Sequence, residues 1–120
     1  VAPKISMHDL LSYKVYGEPV NMELLYTELE DALLSIAVAQ SFFNRQPYRV
    51  IVDDDIVSLI GLDDEMTTVE DQLLNYGIAM FNFYAVLDST RAGVKMWSFE
   101  EPGRELKLPA NAHYIAKIRI

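Results

Sequence analysis

Three consecutive aspartates, Asp53, Asp54 and Asp55, are the residues whose type and spacing could most readily do chemistry. They follow a β-branched run that predicts a short interior strand from Tyr48 to Val52. Two carboxylates at the end of a strand can hold a Mg²⁺ ion, which would support metal-assisted catalysis. The same carboxylates could instead solvate a turn and attract a basic partner.

The stretch from Arg49 to Val57 follows the pattern strand, then D-x-D-x-[TV]. This pattern resembles the first motif of haloacid-dehalogenase-type phosphotransferases, and the resemblance implies that Asp53 is a nucleophile and Asp55 an acid/base beside Mg²⁺. The family also needs a Ser or Thr, a Lys and a second acidic pair on a larger parallel sheet, and Asp63 and Asp64 come too soon to be that pair. We therefore keep a small Mg-dependent phosphotransferase as an alternative and expect the aspartates to cap a turn, without metal or cofactor.

The charge of the chain is uneven, and its net value is −8. Between Val50 and Thr90 there are acidic residues but no Lys or Arg, whereas the residues after Thr90 carry an excess of basic side chains. An acidic band of this kind repels phosphate and favours a basic protein partner. Any contact with nucleic acid would therefore have to use the C-terminal end.

A basic and aromatic pattern near the C-terminus supports a second alternative. Lys95 and Trp97 share one face of a predicted strand, and Lys117 and Arg119 share one face of another. Aromatic stacking combined with cations is how single-stranded nucleic acids are bound. The pattern predicts a single-stranded RNA-binding accessory protein if Trp97 is exposed, and an ordinary core residue if it is buried.

Several other classes of protein are excluded by composition. The chain has no cysteine, which excludes disulfide scaffolds and thiolate metal sites. Its glycines stand singly, so no phosphate-binding loop is present, and its two histidines have no metal-binding partner at helical spacing. We see no signal peptide and no run long enough to cross a membrane, and we expect a soluble protein in the cytoplasm, or in a virion if its source is viral.

The spacing of apolar residues predicts one long helix over 22–44. Its second half is apolar on every side, and a helix of that kind must be covered on every side. One copy of a small domain offers too little material for this, so the sequence predicts a homodimer. The predicted contact residues are Leu33, Ile36, Ala37, Phe42 and Phe43.

The remaining elements complete a single domain over residues 1–120. We predict a short helix over 7–15, a long helix over 68–88 capped by Thr67, a hairpin with strands at 94–99 and 105–108, and a strand from Tyr114 onward. Gly77 lowers the helix propensity in the middle of the 68–88 helix, so we expect something large to approach the backbone closely there. The segment 56–61 is either a short helix or the returning strand of a hairpin. The predicted fold is α+β, with two long helices packed on a small antiparallel sheet and a C-terminal β-meander.

These patterns favour a non-enzymatic interaction module over either alternative. We expect a self-associating accessory or assembly factor, and only base rates point to a phage or viral source. The partner-binding residues are then the five on the 22–44 helix together with Asp53, Asp54 and Asp55, which would face a basic partner.

Overall fold

The computed structural model describes residues 6–38, 48–63, 68–91 and 93–120. Within these ranges the chain is α+β, as predicted, with helices packed on a four-stranded sheet. The elements in chain order are α1 (Met7–Leu10), β1 (Leu11–Tyr13), a single 3₁₀ turn (Met22–Leu24), α2 (Thr27–Ala37), β2 (Tyr48–Asp53), β3 (Ile56–Leu62), α3 (Val69–Thr90) and β4 (Ala112–Arg119).

The sheet has the order β1-β2-β3-β4 and is mixed rather than purely antiparallel. β2, β3 and β4 pair antiparallel, but β1 pairs parallel with β2, so that Leu11 lies beside Val50. This pairing explains why the predicted 7–15 helix ends after one turn. Ser6 caps α1 by accepting a hydrogen bond from the Asp9 amide, and the chain then becomes extended at Leu11.

The segment 56–61, which the sequence left open, is the returning arm of a hairpin. β2 and β3 are joined by Asp54 and Asp55, and Asp54 has a φ of 52°. Two-residue hairpin turns need this left-handed conformation, and Asp is one of the few residues that adopt it readily. The acidic cluster is therefore the turn itself.

The predicted 22–44 helix is shorter and interrupted within the described residues. Asn21 caps only the 3₁₀ turn, Leu25 and Tyr26 are extended, and α2 begins at Thr27. α3 is close to the prediction but is capped by Thr68, whose side chain accepts a hydrogen bond from the Asp71 amide. Thr67, the predicted cap, lies outside the described residues.

One face of the sheet packs against α2 and α3 and forms the main core. Alternate strand residues such as Val50, Leu59 and Ile118 meet the buried faces of the two helices, which include Ile36 and Phe83.

The other face of the sheet has a smaller core, in which Ile51 and Ile60 are covered by Leu106. The chain between α3 and β4 therefore crosses this second face. The predicted 94–108 hairpin does not form among the described residues, where an isolated bridge joins Ser98 to Lys117 of β4 instead.

Candidate functional site

Two of the three aspartates at the hairpin, Asp53 and Asp55, form ion pairs with the C-terminal part of the chain. Asp53 forms an ion pair with Arg104 at 3.0 Å, and Asp55 forms a hydrogen-bonded ion pair with Arg119. Asp53 and Asp55 thus pair with different arginines, and their carboxylates do not bind a common partner. No group of three or more His, Asp or Glu side chains with metal-binding geometry occurs in the part of the chain that the structure describes.

The residues chosen for nucleic-acid binding do not form an exposed platform. Trp97 is 8% exposed, and its Nε1 donates a hydrogen bond to the Met80 carbonyl at 2.9 Å. Lys117 donates from Nζ to the Glu101 carbonyl, and Arg119 is paired with Asp55, while Lys95 is exposed. Because Trp97 cannot stack on a base without leaving the core, an exposed platform at this position is the wrong interpretation.

The predicted dimer face of α2 is also buried within the single chain. Leu33, Ile36 and Ala37 belong to the main core, where the sheet and α3 already cover them. The prediction that they need a second copy is wrong, since it assumed one long helix with too little material around it. Phe42 and Phe43 lie outside the described residues.

A different helix, α3, has a large apolar surface that the described chain leaves uncovered. Its buried residues, such as Tyr76 and Phe83, contact the core, whereas Leu73 and Phe81 are 62% and 68% exposed. No charged residue occurs between Asp71 and Asp88. An outer helix face normally carries polar side chains, so the apolar side chains on this side of α3 are unusual for a surface exposed to water.

The chain after α3 extends this surface into a groove. The groove has a volume of about 400 Å³ and is bounded by α3, the segment 94–99 and β4. Its walls are apolar or aromatic throughout and consist of Leu73, Tyr76, Gly77, Met80, Phe81, Tyr84, Met96, Trp97, Phe99 and Ile115. We use the name α3 face for the exposed surface made by part of the groove together with the neighbouring exposed residues Leu74 and Ile78; it consists of Leu73, Leu74, Gly77, Ile78, Phe81, Met96 and Phe99.

Trp97 holds the second wall of the groove in place. Besides its hydrogen bond to α3, its ring meets the edge of Phe83, with centroids 5.5 Å apart and planes inclined at 61°. The amide of Ser98 donates to the Lys117 carbonyl, and the Lys117 amide donates to the Ser98 carbonyl. Because the chain is anchored at Trp97 and Ser98, its neighbours Met96 and Phe99 are held at the surface, where Phe99 is 73% exposed.

A cluster formed by His113, Asp63 and Tyr76 lies at one end of the groove. His113 Nδ1 is 3.3 Å from Asp63 Oδ1, and the His113 ring meets Tyr76 nearly at right angles. Both side chains crowd Gly61, where an added Cβ would be 2.7 Å from His113 Nε2 and from Tyr76 Oη. Gly61 is therefore required for the close packing of α3 on this end of the sheet.

Two tyrosine pKa values are raised in the folded chain. Burial raises the pKa of Tyr48 to about 12, and its hydroxyl donates a hydrogen bond to the Ile36 carbonyl at 3.2 Å. Burial, followed by the charges of Glu101 and Glu100, raises the pKa of Tyr114. The Tyr114 hydroxyl donates to the Glu100 carbonyl at 2.6 Å, which fixes the chain next to Phe99. The Tyr48 hydroxyl therefore ties β2 to the end of α2, and the Tyr114 hydroxyl holds the chain beside the groove.

The α3 face could have been found from the sequence by one signal. The uncharged run between Asp71 and Asp88 is longer than the charge-free part of α2, and Gly77 lies within it. Sequence reasoning treated the additional apolar residues as a broader core stripe and expected a close neighbour at Gly77. In the described chain, no packing neighbour lies within 4 Å of a Cβ built at Gly77.

Comparison with known proteins adds no relative. No family model matches the chain, and no curated protein and no solved structure matches it either. None of the described helices combines the length and the apolarity needed to cross a bilayer.

Proposed function

We propose that this chain is a non-enzymatic interaction module that self-associates as a two-fold dimer through the α3 face. The observation that carries the proposal is the continuous apolar surface on α3 and the segment 94–99, which has a groove beside an exposed ridge. A patch of this kind on an otherwise charged chain is typical of a protein contact surface. An accessory or assembly role fits a module whose main feature is such a surface.

The size of the face supports a second copy as its occupant. Six large apolar side chains of the α3 face are exposed, namely Leu73, Leu74, Ile78, Phe81, Met96 and Phe99. At roughly 100 Å² of contact area for each exposed side chain, they would contribute about 600 Å² per copy, which approaches the ~800 Å² per partner of a standard interface. A domain-sized occupant is needed to cover this area.

The distribution of shape on the face also favours self-association. A two-fold interface is self-complementary, so each copy must supply both a projection and a recess. The α3 face has both, since the exposed Phe81 lies beside the groove that it helps to form. A net charge of −8 on each copy opposes association, but no residue of the α3 face carries a charge that must be desolvated.

The test is the mass of the chain in solution, measured by light scattering and by sedimentation across micromolar concentrations. We expect the mass of two chains for the wild type and of one chain for Phe81→Glu, because two carboxylates would be buried at the centre of the contact. Leu24→Glu is the matched control, since Leu24 is 79% exposed but lies outside the groove.

The control variant should keep the wild-type mass. A wild type that remains a single chain at all these concentrations would contradict the proposal. A mass that rises only when a basic protein is added, and falls again with salt, would instead favour the acidic band around Asp54 as the contact surface.

A further inference from the structure

Gly77 and Phe81 form a recess and a projection one helical turn apart on the same side of α3. Phe81 is largely exposed, and a Cβ at Gly77 would have no packing neighbour within 4 Å among the described residues. A glycine in the middle of a helix costs about 1 kcal/mol relative to alanine, and the packing of the described chain gives no reason for it. The sequence predicts a close neighbour at Gly77 that these residues do not supply.

We infer that the missing neighbour is Phe81 of the partner subunit, in a dimer whose two α3 helices cross antiparallel at the level of residue 79. This inference rests on the proposed self-association and specifies its geometry. In an antiparallel pair related by a two-fold axis, residues at equal distances on either side of the axis face each other. Phe81 then packs over the partner's Gly77, and the partner's Phe81 packs over Gly77.

Glycine has a physical role in this arrangement. Helices pack 8–10 Å apart depending on the side chains at the contact, and a glycine allows the closest approach. A bulky side chain from one helix fits over a position without a side chain on the other. Each two-fold pair forms this contact twice, so the recess and the projection on one copy are both used.

The charged residues near the two ends of α3 are a second feature that bears on the antiparallel pair. Glu70 and Asp88 are eighteen residues apart in the sequence, which is about five full turns of a helix, so both lie on the same side as Gly77 and Phe81. Their midpoint is also residue 79. The antiparallel pair therefore brings Glu70 close to the partner's Asp88, and two like-charge contacts limit the affinity of the dimer.

The first test exchanges the recess and the projection. Gly77→Phe should abolish the dimer at concentrations where the wild type is dimeric, because each Phe81 would meet another ring. Phe81→Ala should raise the dimer dissociation constant about 100-fold or more, since two central aromatic contacts are lost. The double variant, Gly77→Phe with Phe81→Ala, restores a large residue opposite a small one and should return the dissociation constant to within about tenfold of the wild type.

The second test reverses one charge and leaves the apolar contact intact. Asp88→Lys should tighten the dimer by about three- to tenfold at low salt, because two repulsive contacts with Glu70 become attractive. Added salt should strengthen the wild-type dimer and weaken that of Asp88→Lys. In a parallel pair position 88 would face the same position of the partner, so one like-charge contact would replace another and the dimer would not tighten.

The outcomes separate this inference from the proposed function. Restoration by the double variant together with tightening by Asp88→Lys supports the antiparallel crossing. A dimer that Phe81→Glu breaks, but that shows neither restoration nor tightening, would overturn the crossing and leave the proposed function standing. A monomeric wild type would overturn both. Circular dichroism of each variant shows that the helices have formed.

Discussion

The packing of α3 on the sheet can be tested at Gly61, where one methyl group should be costly. In Gly61→Ala the new Cβ would lie 2.7 Å from His113 Nε2 and from Tyr76 Oη. His113 is half exposed and can turn away. Tyr76 is a buried residue of α3 and cannot move without disturbing the core. The cost is therefore set by Tyr76.

The size of the effect follows from two opposing terms. Overpacking a core by one methyl group costs typically about 1–3 kcal/mol. Replacing glycine by alanine also restricts the unfolded chain, which returns about 0.4–1 kcal/mol. We expect Gly61→Ala to lower the free energy of unfolding by about 1–2 kcal/mol, or the urea midpoint by roughly 0.5–1 M.

The assay is urea unfolding followed by far-ultraviolet circular dichroism, at concentrations low enough for the chain to be monomeric. Gly77→Ala is the matched control, because open space surrounds a Cβ at this position. It should raise the free energy of unfolding by up to about 1 kcal/mol through helix propensity alone. Equal or greater stability of Gly61→Ala relative to the wild type would refute the packing of α3 described above.

Three further predictions concern the groups that support the site. The free energy of unfolding should fall as the pH rises from about 10 through about 12, because folding raises the pKa of Tyr48 and favours its neutral hydroxyl. Urea titrations at alkaline pH should show that Tyr48→Phe removes much of this loss. Arg104→Ala removes a partly exposed ion pair with Asp53 and should change the free energy of unfolding by no more than about 1 kcal/mol. Millimolar Mg²⁺ should not shift the melting temperature of the wild type or of Arg104→Ala. The fluorescence of Trp97 should be unchanged by single-stranded oligonucleotides at low salt, and clear quenching would show that its burial has been misjudged.

The parts of the fold that could be predicted are those in which local pattern and tertiary packing agree. β2 and β4 have β-branched or alternating residues, and α3 has a capping threonine and a helical apolar stripe, so their positions were close to those observed. The 22–44 helix failed near Tyr26, where the chain is extended and the Tyr26 hydroxyl accepts a hydrogen bond from Arg91 beyond the end of α3. A contact between residues so distant in the sequence leaves no local signal.

The site was missed for a related reason. The sequence predicts that a second copy covers α2, but α2 residues such as Ile36 are covered by the sheet and α3. Which helix has an uncovered side depends on where the segment 94–99 runs. That segment was predicted as a strand in a hairpin, whereas it lies beside α3 and is bridged to β4 through Ser98.

The most direct test of self-association through α3 is sedimentation equilibrium of the wild type and of Phe81→Glu under identical conditions. We expect the wild type to fit a reversible equilibrium between one and two chains and Phe81→Glu to sediment as one chain, with the same circular dichroism spectrum. Identical masses for the two proteins, whether of one chain or of two, would contradict the central role assigned to the α3 face.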